Sequence, residues 1–169
     1  MKMKFKKRNI KISIVSAMLA GSVGFSSANA GTDVTQNLTV NSSVGAVCTI
    51  ATEAVAFGAY TGAQKDAVGK VKHTCTSQLS ADIKIGKGTA DSGTDAAPTR
   101  KMKNGVNTLA YFLYQDSNRQ TIWGNDNNTD KNITGAGTEK AVDIYGRMTA
   151  NQVAPVGTYT DTVLVTITF

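Results

Sequence analysis

The residues in this sequence that are best suited to catalysis or metal binding are two cysteines, Cys48 and Cys75, and a single histidine, His73. A thiolate beside an imidazole can act as a nucleophile, and sulfur and nitrogen ligands together can hold zinc. A zinc site needs three or four protein ligands, however, and the chain has no second cysteine pair and no second histidine. In an exported protein an even pair of cysteines is typical of a disulfide. We therefore expect a Cys48–Cys75 disulfide and a packing or surface role for His73.

Acidic residues give little support for catalysis. General acid–base chemistry on sugars needs a carboxyl group held in an apolar site, whereas the acids here lie mostly in polar stretches. Residues 126–130, Asp-Asn-Asn-Thr-Asp, match the start of a calcium loop but lack the glycine and the final glutamate that follow in it. We therefore expect a turn at 126–130, no metal, no cofactor and no enzymatic activity.

Aromatic side chains leave a carbohydrate-binding function open. The residues that could form a stacking platform for a sugar are Trp123, Tyr111, Tyr114 and Tyr145. Trp and Tyr also serve as core residues and loop anchors, because each combines a large apolar body with one polar group. The sequence favours these structural roles and keeps the binding platform as an alternative.

The first 30 residues predict a secretory signal peptide. Residues 1–11 carry six basic residues and no acid, residues 12–25 are mainly apolar, and residues 28–30 form an Ala-Asn-Ala cleavage signature. The apolar stretch is shorter than the ~20 residues that a membrane-spanning helix needs. We therefore expect export by the Sec pathway into an oxidising compartment. Such a chain is neither a cytosolic enzyme nor stably inserted in a membrane.

Removal of this leader changes the charge. The full chain has 18 basic and 12 acidic residues, and six of the basic ones lie in residues 1–11, so residues 31–169 have a formal charge of zero. A nucleic-acid-binding protein needs a clustered basic surface. The composition therefore argues against nucleic acid as a partner.

Hydrophobic alternation predicts an all-β domain. Strand-like patterns occur at 34–40, 79–85, 109–114 and 141–147. Polar loops are predicted at 86–98, 117–120, 124–137 and 150–157, and all of them except 117–120 contain glycine. Strands at short intervals without an amphipathic helix are typical of a β-sandwich.

The C-terminal stretch 159–169 is the most hydrophobic predicted strand. Its alternate residues Val163, Val165, Ile167 and Phe169 share one face. An edge strand with a bare apolar face invites pairing with another chain. We therefore expect a second chain to cover this strand.

The sequence resembles the spore coat U family, whose domain is also used by subunits of archaic chaperone–usher pili. The resemblance rests on short blocks in order along the chain: Cys48-Thr49, Phe57-Gly58-Ala59-Tyr60, Gly69-Lys70-Val71, Arg100-Lys101-Met102, Leu109-Ala110-Tyr111-Phe112, Trp123-Gly124, Tyr145-Gly146-Arg147 and residues 157–169. The C-terminal block is the most specific. Met148 stands where the family often has proline.

The resemblance implies an incomplete immunoglobulin-like β-sandwich that lacks its last strand. In such subunits a periplasmic pilus chaperone lends a strand, and at the outer-membrane usher the N-terminal extension of the next subunit replaces it by β-strand addition. The implied donor-strand residues are Val34, Gln36, Leu38 and Val40, among which Gln36 is an unusual pocket residue. The implied acceptor-groove and chaperone-binding residues are Val163, Val165, Ile167 and Phe169.

The implied organisation is a signal peptide at 1–30, a donor-strand extension at 31–44 and a sandwich domain at 45–169. The implied function is a structural subunit of a surface pilus, a homopolymer or a heteropolymer, with a role in adhesion and biofilm formation. A stand-alone secreted coat or matrix protein and a carbohydrate-binding adhesive module are the alternatives.

Overall fold

The computed structural model describes residues 31–169, so the predicted signal peptide lies outside the described residues. Within 31–169 the chain forms eight β-strands and no helix, and every strand pair is antiparallel. The strands are β1 (Cys48–Glu53), β2 (Lys65–Cys75), β3 (Ser80–Ile85), β4 (Lys101–Asn104), β5 (Asn107–Tyr114), β6 (Lys131–Thr134), β7 (Lys140–Met148) and β8 (Val165–Thr168). No helix of this described part is long and apolar enough to cross a membrane.

The chain divides into two units at Asn41, and all eight strands lie in the second unit, Ser42–Phe169. Residues 31–47 contain no strand, and their side chains are exposed. The strand predicted at 34–40 is therefore absent from the single chain. Alternation gives this segment the side chains of a strand, but a strand also needs a neighbour for its backbone N–H and C=O groups.

The strands form two sheets that make an all-β sandwich, as predicted. The larger sheet has the order β1-β2-β7-β5-β4, and the smaller one has the order β6-β3-β8. The longest strand, β2, pairs with β1 on one side and with β7 on the other. The outermost strands are β1 and β4 in the larger sheet and β6 and β8 in the smaller one.

The core lies between the sheets and is built from alternate residues. In β3, Ala81, Ile83 and Ile85 are buried while the residues between them are half-buried. Each large aliphatic side chain buried in this way contributes about 1.5–3 kcal/mol to folding. Trp123 is fully buried, and its Nε1 donates a 2.8 Å hydrogen bond to the carbonyl oxygen of Ile83. The indole thus ties a loop to the central strand of the smaller sheet.

Three strands lie where the hydrophobic pattern predicts them, since β3, β5 and β7 overlap the stretches 79–85, 109–114 and 141–147. The apolar run in β5 is not buried on both faces. Leu109, Tyr111 and Leu113 are buried, and the residues between them, Ala110 and Phe112, are half-buried.

The other strands differ from the prediction or were not predicted. The C-terminal strand β8 covers only Val165–Thr168, because residues 159–164 pass from the edge of β4 to the edge of β3. The predicted loop 124–137 contains β6, which pairs with β3. Its sequence, Lys-Asn-Ile-Thr, has a single apolar residue and therefore does not predict a strand. β1 has two Thr, β2 has three Lys and β4 has two Lys, and none of the three has a clear alternation of large apolar residues.

Candidate functional site: a groove between two sheet edges

A groove opens between the outer edges of β1 and β8. Each of these strands has one partner among the described residues, β2 for β1 and β3 for β8. A shallow depression is lined on one side by Ile50, Ala51 and Thr52 of β1 and on the other by residues 162–165. The two sheets are therefore not joined along this side of the sandwich.

Two cavities form the deep part of the groove. The first, of about 400 Å³, reaches the core residues Ile85, Tyr111, Leu113 and Ile144. The second, of about 730 Å³, is lined by apolar residues that include Leu109, Met148 and Ala154. The residues that line both cavities are Val55, Phe57, Met102 and Tyr159. The groove is thus continuous, and its floor is the hydrophobic core.

Two glycines make room for one wall of the groove, the segment 54–57 that follows β1. A Cβ atom on Gly146 of β7 would lie 2.5 Å from a methyl group of Val55 and 2.8 Å from the ring of Phe57. A Cβ atom on Gly69 of β2 would lie 2.7 Å from Val55. Without side chains at these two positions, Val55 and Phe57 pack directly on the sheet.

The first cavity is lined by polar as well as apolar residues, and two of the polar ones, Asp161 and Tyr111, form a pair. The Tyr111 hydroxyl donates a 2.7 Å hydrogen bond to Asp161 Oδ2. Asp161 Oδ1 accepts hydrogen bonds from the backbone N–H and the hydroxyl of Thr89 and from the backbone N–H of Thr162. Burial and the neighbouring carboxylate raise the pKa of Tyr111, so the phenol stays protonated. The pair holds the 159–164 segment against both β5 and the loop after β3.

A buried arginine supports the end of β3 behind the groove. Arg100 is 1% exposed and donates hydrogen bonds of 2.7–2.8 Å to the carbonyl oxygens of Ile85, Gly86 and Trp123. Burial lowers the pKa of Arg100 to about 10, so the side chain stays charged at neutral pH. Three carbonyl dipoles stabilise that charge where three chain segments meet.

The predicted acceptor residues occupy different depths. Val163, Val165 and Ile167 are half-buried and pack against the core, and the first two line the first cavity. Phe169 is 56% exposed and lines neither deep cavity. Leu164, on the opposite face, is exposed.

The predicted donor residues lie outside the sandwich unit. Val34, Gln36, Leu38 and Val40 are all exposed in the unit that ends at Asn41, and Leu38 is 87% exposed. Exposed apolar side chains at this spacing remain available to another molecule. Whether they act as a donor strand stays a prediction.

The predicted disulfide joins Cys48, the first residue of β1, to Cys75, the last residue of β2, and this prediction is confirmed. The two residues are directly opposite in the β1–β2 register, with Cα atoms 4.1 Å apart, slightly closer than the 4.4–6.8 Å usual for disulfides. Next to the bond, the Thr76 hydroxyl donates to the Gly45 carbonyl at 3.1 Å and accepts from the Val47 N–H at 3.0 Å. The disulfide and Thr76 thus anchor the start of β1.

Comparison with known families decides the identity of this fold. A model of the Spore Coat Protein U domain matches residues 34–166, which include the exposed segment as well as both sheets. The chain belongs to the spore coat protein U domain family. The family expected from the sequence blocks is thereby confirmed.

A curated relative and a solved structure extend this comparison. "Protein U" of Myxococcus xanthus is 37% identical over 177 aligned positions, which cover 95% of this chain and 98% of the relative. A similar fold occurs in the crystal structure of the chaperone–tip adhesion subunit pre-assembly complex from archaic chaperone–usher Csu pili of Acinetobacter baumannii. That similarity has a TM-score of 0.57 at 21% identity and covers 75% of this chain and 40% of the solved chain.

The histidine of this spore coat U domain lies in the core. His73 is 4% exposed in β2, between Ile50 of β1 and Lys140 of β7 in the sheet register. Burial lowers its pKa, and its Nδ1 has no hydrogen-bond partner within the described part of the chain. Among residues 31–169 there is no group of three or more side chains that could hold a metal ion. The packing role expected for His73 agrees with this position.

The aromatic residues of the spore coat U domain are divided between core and surface. Trp123 and Tyr111 are buried, whereas Tyr114 and Tyr145 face each other across β5 and β7 on the outer face of the larger sheet. The Arg119 guanidinium lies 5.8 Å from the centre of the Tyr145 ring. The structure therefore does not bring the four predicted platform residues to one surface.

Residues 126–130 form the expected turn. Asp126 Oδ1 accepts hydrogen bonds from the backbone N–H groups of Asn128 and Thr129 and from the Thr129 hydroxyl. These bonds hold the pKa of Asp126 below its usual range, the Thr129 hydroxyl having the largest effect. The carboxylate thus organises its own loop.

Sequence reasoning missed one side of the groove. Val55 and Phe57 form its wall, Ile144 and Leu113 lie at its base, and Tyr159 lines both cavities. A signal existed in the two glycines of β2 and β7, because a glycine inside a strand often marks a close approach of other chain segments. Nothing in the hydrophobic pattern identifies which segment approaches.

Proposed function

We propose that this chain is a structural subunit of a surface pilus, assembled by the chaperone–usher pathway through donor-strand exchange, and that the pilus serves adhesion and biofilm formation. The observation that supports this most is the groove between β1 and β8. Its floor is made of core residues such as Ile85 and Leu113, yet no strand covers it in the described chain. A sandwich of this kind is completed by one added strand.

The exposed segment 31–44 supplies a suitable strand. Its apolar residues alternate with polar ones, and none of its side chains is buried in its own chain. β-Strand addition gains affinity from backbone hydrogen bonds and specificity from alternate side chains in pockets. Burial of Leu38 and of Val40 in a neighbour's groove should contribute about 1.5–3 kcal/mol each. The result is a homopolymer, or a heteropolymer with related subunits.

The open groove also explains a need for assembly partners. An uncovered apolar groove exposes a subunit to aggregation in the periplasm. A periplasmic pilus chaperone that lends a strand to β8 would prevent this, and an outer-membrane usher would catalyse replacement of that strand. On this proposal the chain is exported by the Sec pathway and reaches the cell surface as part of the pilus.

A stand-alone secreted coat protein is the second candidate. It is favoured by the family description and by the 37% identity to "Protein U". A coat protein that acts alone would need no usher and would form no fibres. Electron microscopy of cells that express this chain with its chaperone and usher distinguishes the two functions.

Two charge substitutions test donor-strand exchange itself. Leu38→Asp places a charge in the donor strand, where burial without a partner is costly, and should abolish fibres while the chaperone still co-purifies. Val165→Asp places a charge at the acceptor edge and should abolish both fibres and chaperone binding. Thr39→Asp, on the other face of the donor segment, is the matched control and should assemble normally. Normal fibres from Leu38→Asp would show that residues 31–44 are not the donor strand.

A further inference from the structure

Two rows of alternate residues each contain one position that is neither aliphatic nor aromatic: residues 159, 161, 163 and 165, which line the groove, and residues 34, 36, 38 and 40 of the exposed segment. In the groove it is Asp161 with its partner Tyr111, between Val163 on one side and Tyr159 on the other. In the exposed segment it is Gln36, between Val34 and Leu38. The inference below rests on the proposed function and specifies how the donor strand is positioned.

Asp161 has an unused capacity to accept a hydrogen bond. Its Oδ1 already accepts three donors from Thr89 and Thr162, whereas Oδ2 accepts one, from the Tyr111 hydroxyl. A carboxylate has about four acceptor sites, two on each oxygen, so the three donors use Oδ1 fully and one site stays free on Oδ2; a phenol oxygen can also accept one hydrogen bond. A side-chain amide placed above this pair can therefore donate to both oxygens. An apolar side chain in the same place would remove water from a carboxylate without replacing its hydrogen bonds.

The backbone of the 159–164 segment is oriented to receive a strand. Thr160 exchanges hydrogen bonds of 2.8 and 3.1 Å with Lys103 of β4, and the Leu164 carbonyl accepts from Gly86 beyond β3. Successive backbone groups of an extended chain point to opposite sides. The N–H and C=O groups of residues 159, 161 and 163 therefore point to the free edge.

We propose that Gln36 of a second copy lies opposite Asp161, donates its side-chain amide to Asp161 Oδ2 and the Tyr111 hydroxyl, and thereby sets the register of the donor strand. Gln36 is then a specificity-determining residue, and the polar pair in the groove is the site it recognises. Slippage by two residues in either direction would place Val34 or Leu38 over the carboxylate.

The donor strand runs antiparallel to the 159–164 segment. Every strand pair in the described sheets is antiparallel. With Gln36 opposite Asp161, this direction places Val34 opposite Val163 and Leu38 opposite Tyr159. Leu38 and Val40 then enter the second cavity, whose volume of about 730 Å³ exceeds the 400 Å³ of the first. The parallel direction would instead place Leu38 opposite Val163.

Cysteine cross-linking tests the register and the direction with one shared acceptor position. Val163→Cys is combined with Val34→Cys or with Leu38→Cys in the full chain, which is expressed together with its chaperone and usher, and the fibres are oxidised mildly. Residues directly opposite in an antiparallel pair have Cα atoms about 4.5–5.5 Å apart, which suits a disulfide. Val34→Cys should give covalent oligomers on a non-reducing gel, at least about tenfold more than Leu38→Cys.

The other outcomes separate this register from the proposed function. Covalent oligomers mainly from Leu38→Cys would overturn the direction, and fibres without cross-links from either position would overturn the register. Failure of the unmodified chain to form fibres would overturn the proposed function instead, and it is scored by electron microscopy without any cross-link.

A charge pair tests the contact with Asp161. Gln36→Glu places two carboxylates together and should slow fibre assembly at least about tenfold, because like charges across an interface are strongly unfavourable. Asn37→Glu adds the same charge on the other face of the segment and is the matched control, with less than about a twofold effect. Addition of Asp161→Asn should restore Gln36→Glu to within about threefold of the unmodified rate.

Equal assembly of Gln36→Glu and Asn37→Glu would overturn the contact. So would a failure of Asp161→Asn to restore Gln36→Glu, provided that Asp161→Asn alone assembles. If Asp161→Asn alone does not assemble, the comparison of Gln36→Glu with Asn37→Glu decides.

Discussion

At the scale of single residues, the wall of the groove depends on the absence of a side chain at Gly146. A methyl group there would lie 2.5 Å from Val55 and 2.8 Å from Phe57. Since these two residues lie directly on β7, they would have to move toward the space that a donor strand needs.

Gly146→Ala should therefore destabilise the domain by about 1–3 kcal/mol, the usual cost of overpacking, and weaken strand addition. Gly45→Ala is the matched control, because a Cβ atom at Gly45 meets no atom within 4 Å. Urea unfolding of both variants, with a donor-strand peptide of residues 32–44 present and absent, measures the two effects. Equal stability and equal peptide affinity for the two variants would show that the wall tolerates the methyl group.

At the residue scale, we expect His73 to make the stability of the fold depend on pH. Burial lowers its pKa from an ordinary value near 6.5, so the unfolded chain binds a proton more readily than the folded chain. The stabilising contribution of neutral His73 is complete above about pH 6.5 and is lost as the pH falls toward the pKa of the folded state. As the single histidine of the sequence, it is the main side chain to titrate between about pH 5 and 8.

His73→Leu should flatten the stability curve in this range. The unmodified domain should lose free energy of unfolding as the pH falls below about 6.5, with a slope of at most about 1.4 kcal/mol per pH unit. Chemical unfolding at pH 7.5, 6.0 and 5.0 measures this slope for both proteins. An identical slope would assign the acid sensitivity to groups other than His73.

At the scale of elements, the edge strand β1 is held mainly by its pairing with β2 and by the disulfide. Five of its six residues are exposed. Since few of its side chains are in the core, β1 is the element most dependent on a covalent link.

Removal of the bond by Cys48→Ala together with Cys75→Ala should lower the free energy of unfolding by about 3–4 kcal/mol for a loop spanning residues 48–75. Hydrogen exchange should show the largest loss of protection in β1, with β3 and β5 less affected. Uniform loss of protection in all strands would show that β1 does not open separately.

Sequence patterns predicted three strands that bury one face, but they missed β2, which buries Gly69, Val71, His73 and Cys75 on one face without a row of large apolar residues. β3, β5 and β7 alternate because one face of each contacts the core. β4 and β6 are short and polar, and backbone pairing with β5 and β3 makes them strands. The disulfide was also predictable, because the predicted signal peptide implies an oxidising compartment. The apolar face of the C-terminal strand was predictable because its apolar residues alternate. The groove wall at Val55 and Phe57 was not predictable, because the segment 54–57 has no regular structure and its position depends on where it crosses the larger sheet.

At the scale of the whole molecule, the proposed function places the two halves of one interface on separate units of the chain. The exposed segment ends at Asn41, and the groove lies within Ser42–Phe169. In a single copy the groove that leads down to the buried residues Leu113 and Ile144 is uncovered. Stability should therefore depend on what fills the groove, since a ligand that binds only the folded state stabilises it.

Expressed without residues 1–30, the chain should self-associate, aggregate or have a low midpoint temperature of thermal unfolding. A fusion that carries a second copy of residues 32–44 after Phe169, joined by a flexible linker, should instead be a stable monomer. The fused strand lies at high effective concentration beside the groove, and burial of its Leu38 and Val40 equivalents adds about 3–6 kcal/mol in total.

Size-exclusion chromatography and thermal unfolding compare the unfused chain, this fusion and a control fusion in which the Leu38 and Val40 equivalents are replaced by Asp. The control should behave as the unfused chain, because its strand cannot enter an apolar groove without burying unpaired charge. A change of 1 kcal/mol in the free energy of unfolding shifts the midpoint temperature by about 2–8 °C for domains of this size class. The fusion should therefore unfold at a clearly higher temperature than the other two proteins. If the unfused chain is already a monomer that unfolds at the same temperature as the fusion, the groove is not a missing-strand site and the sandwich is complete without a donor.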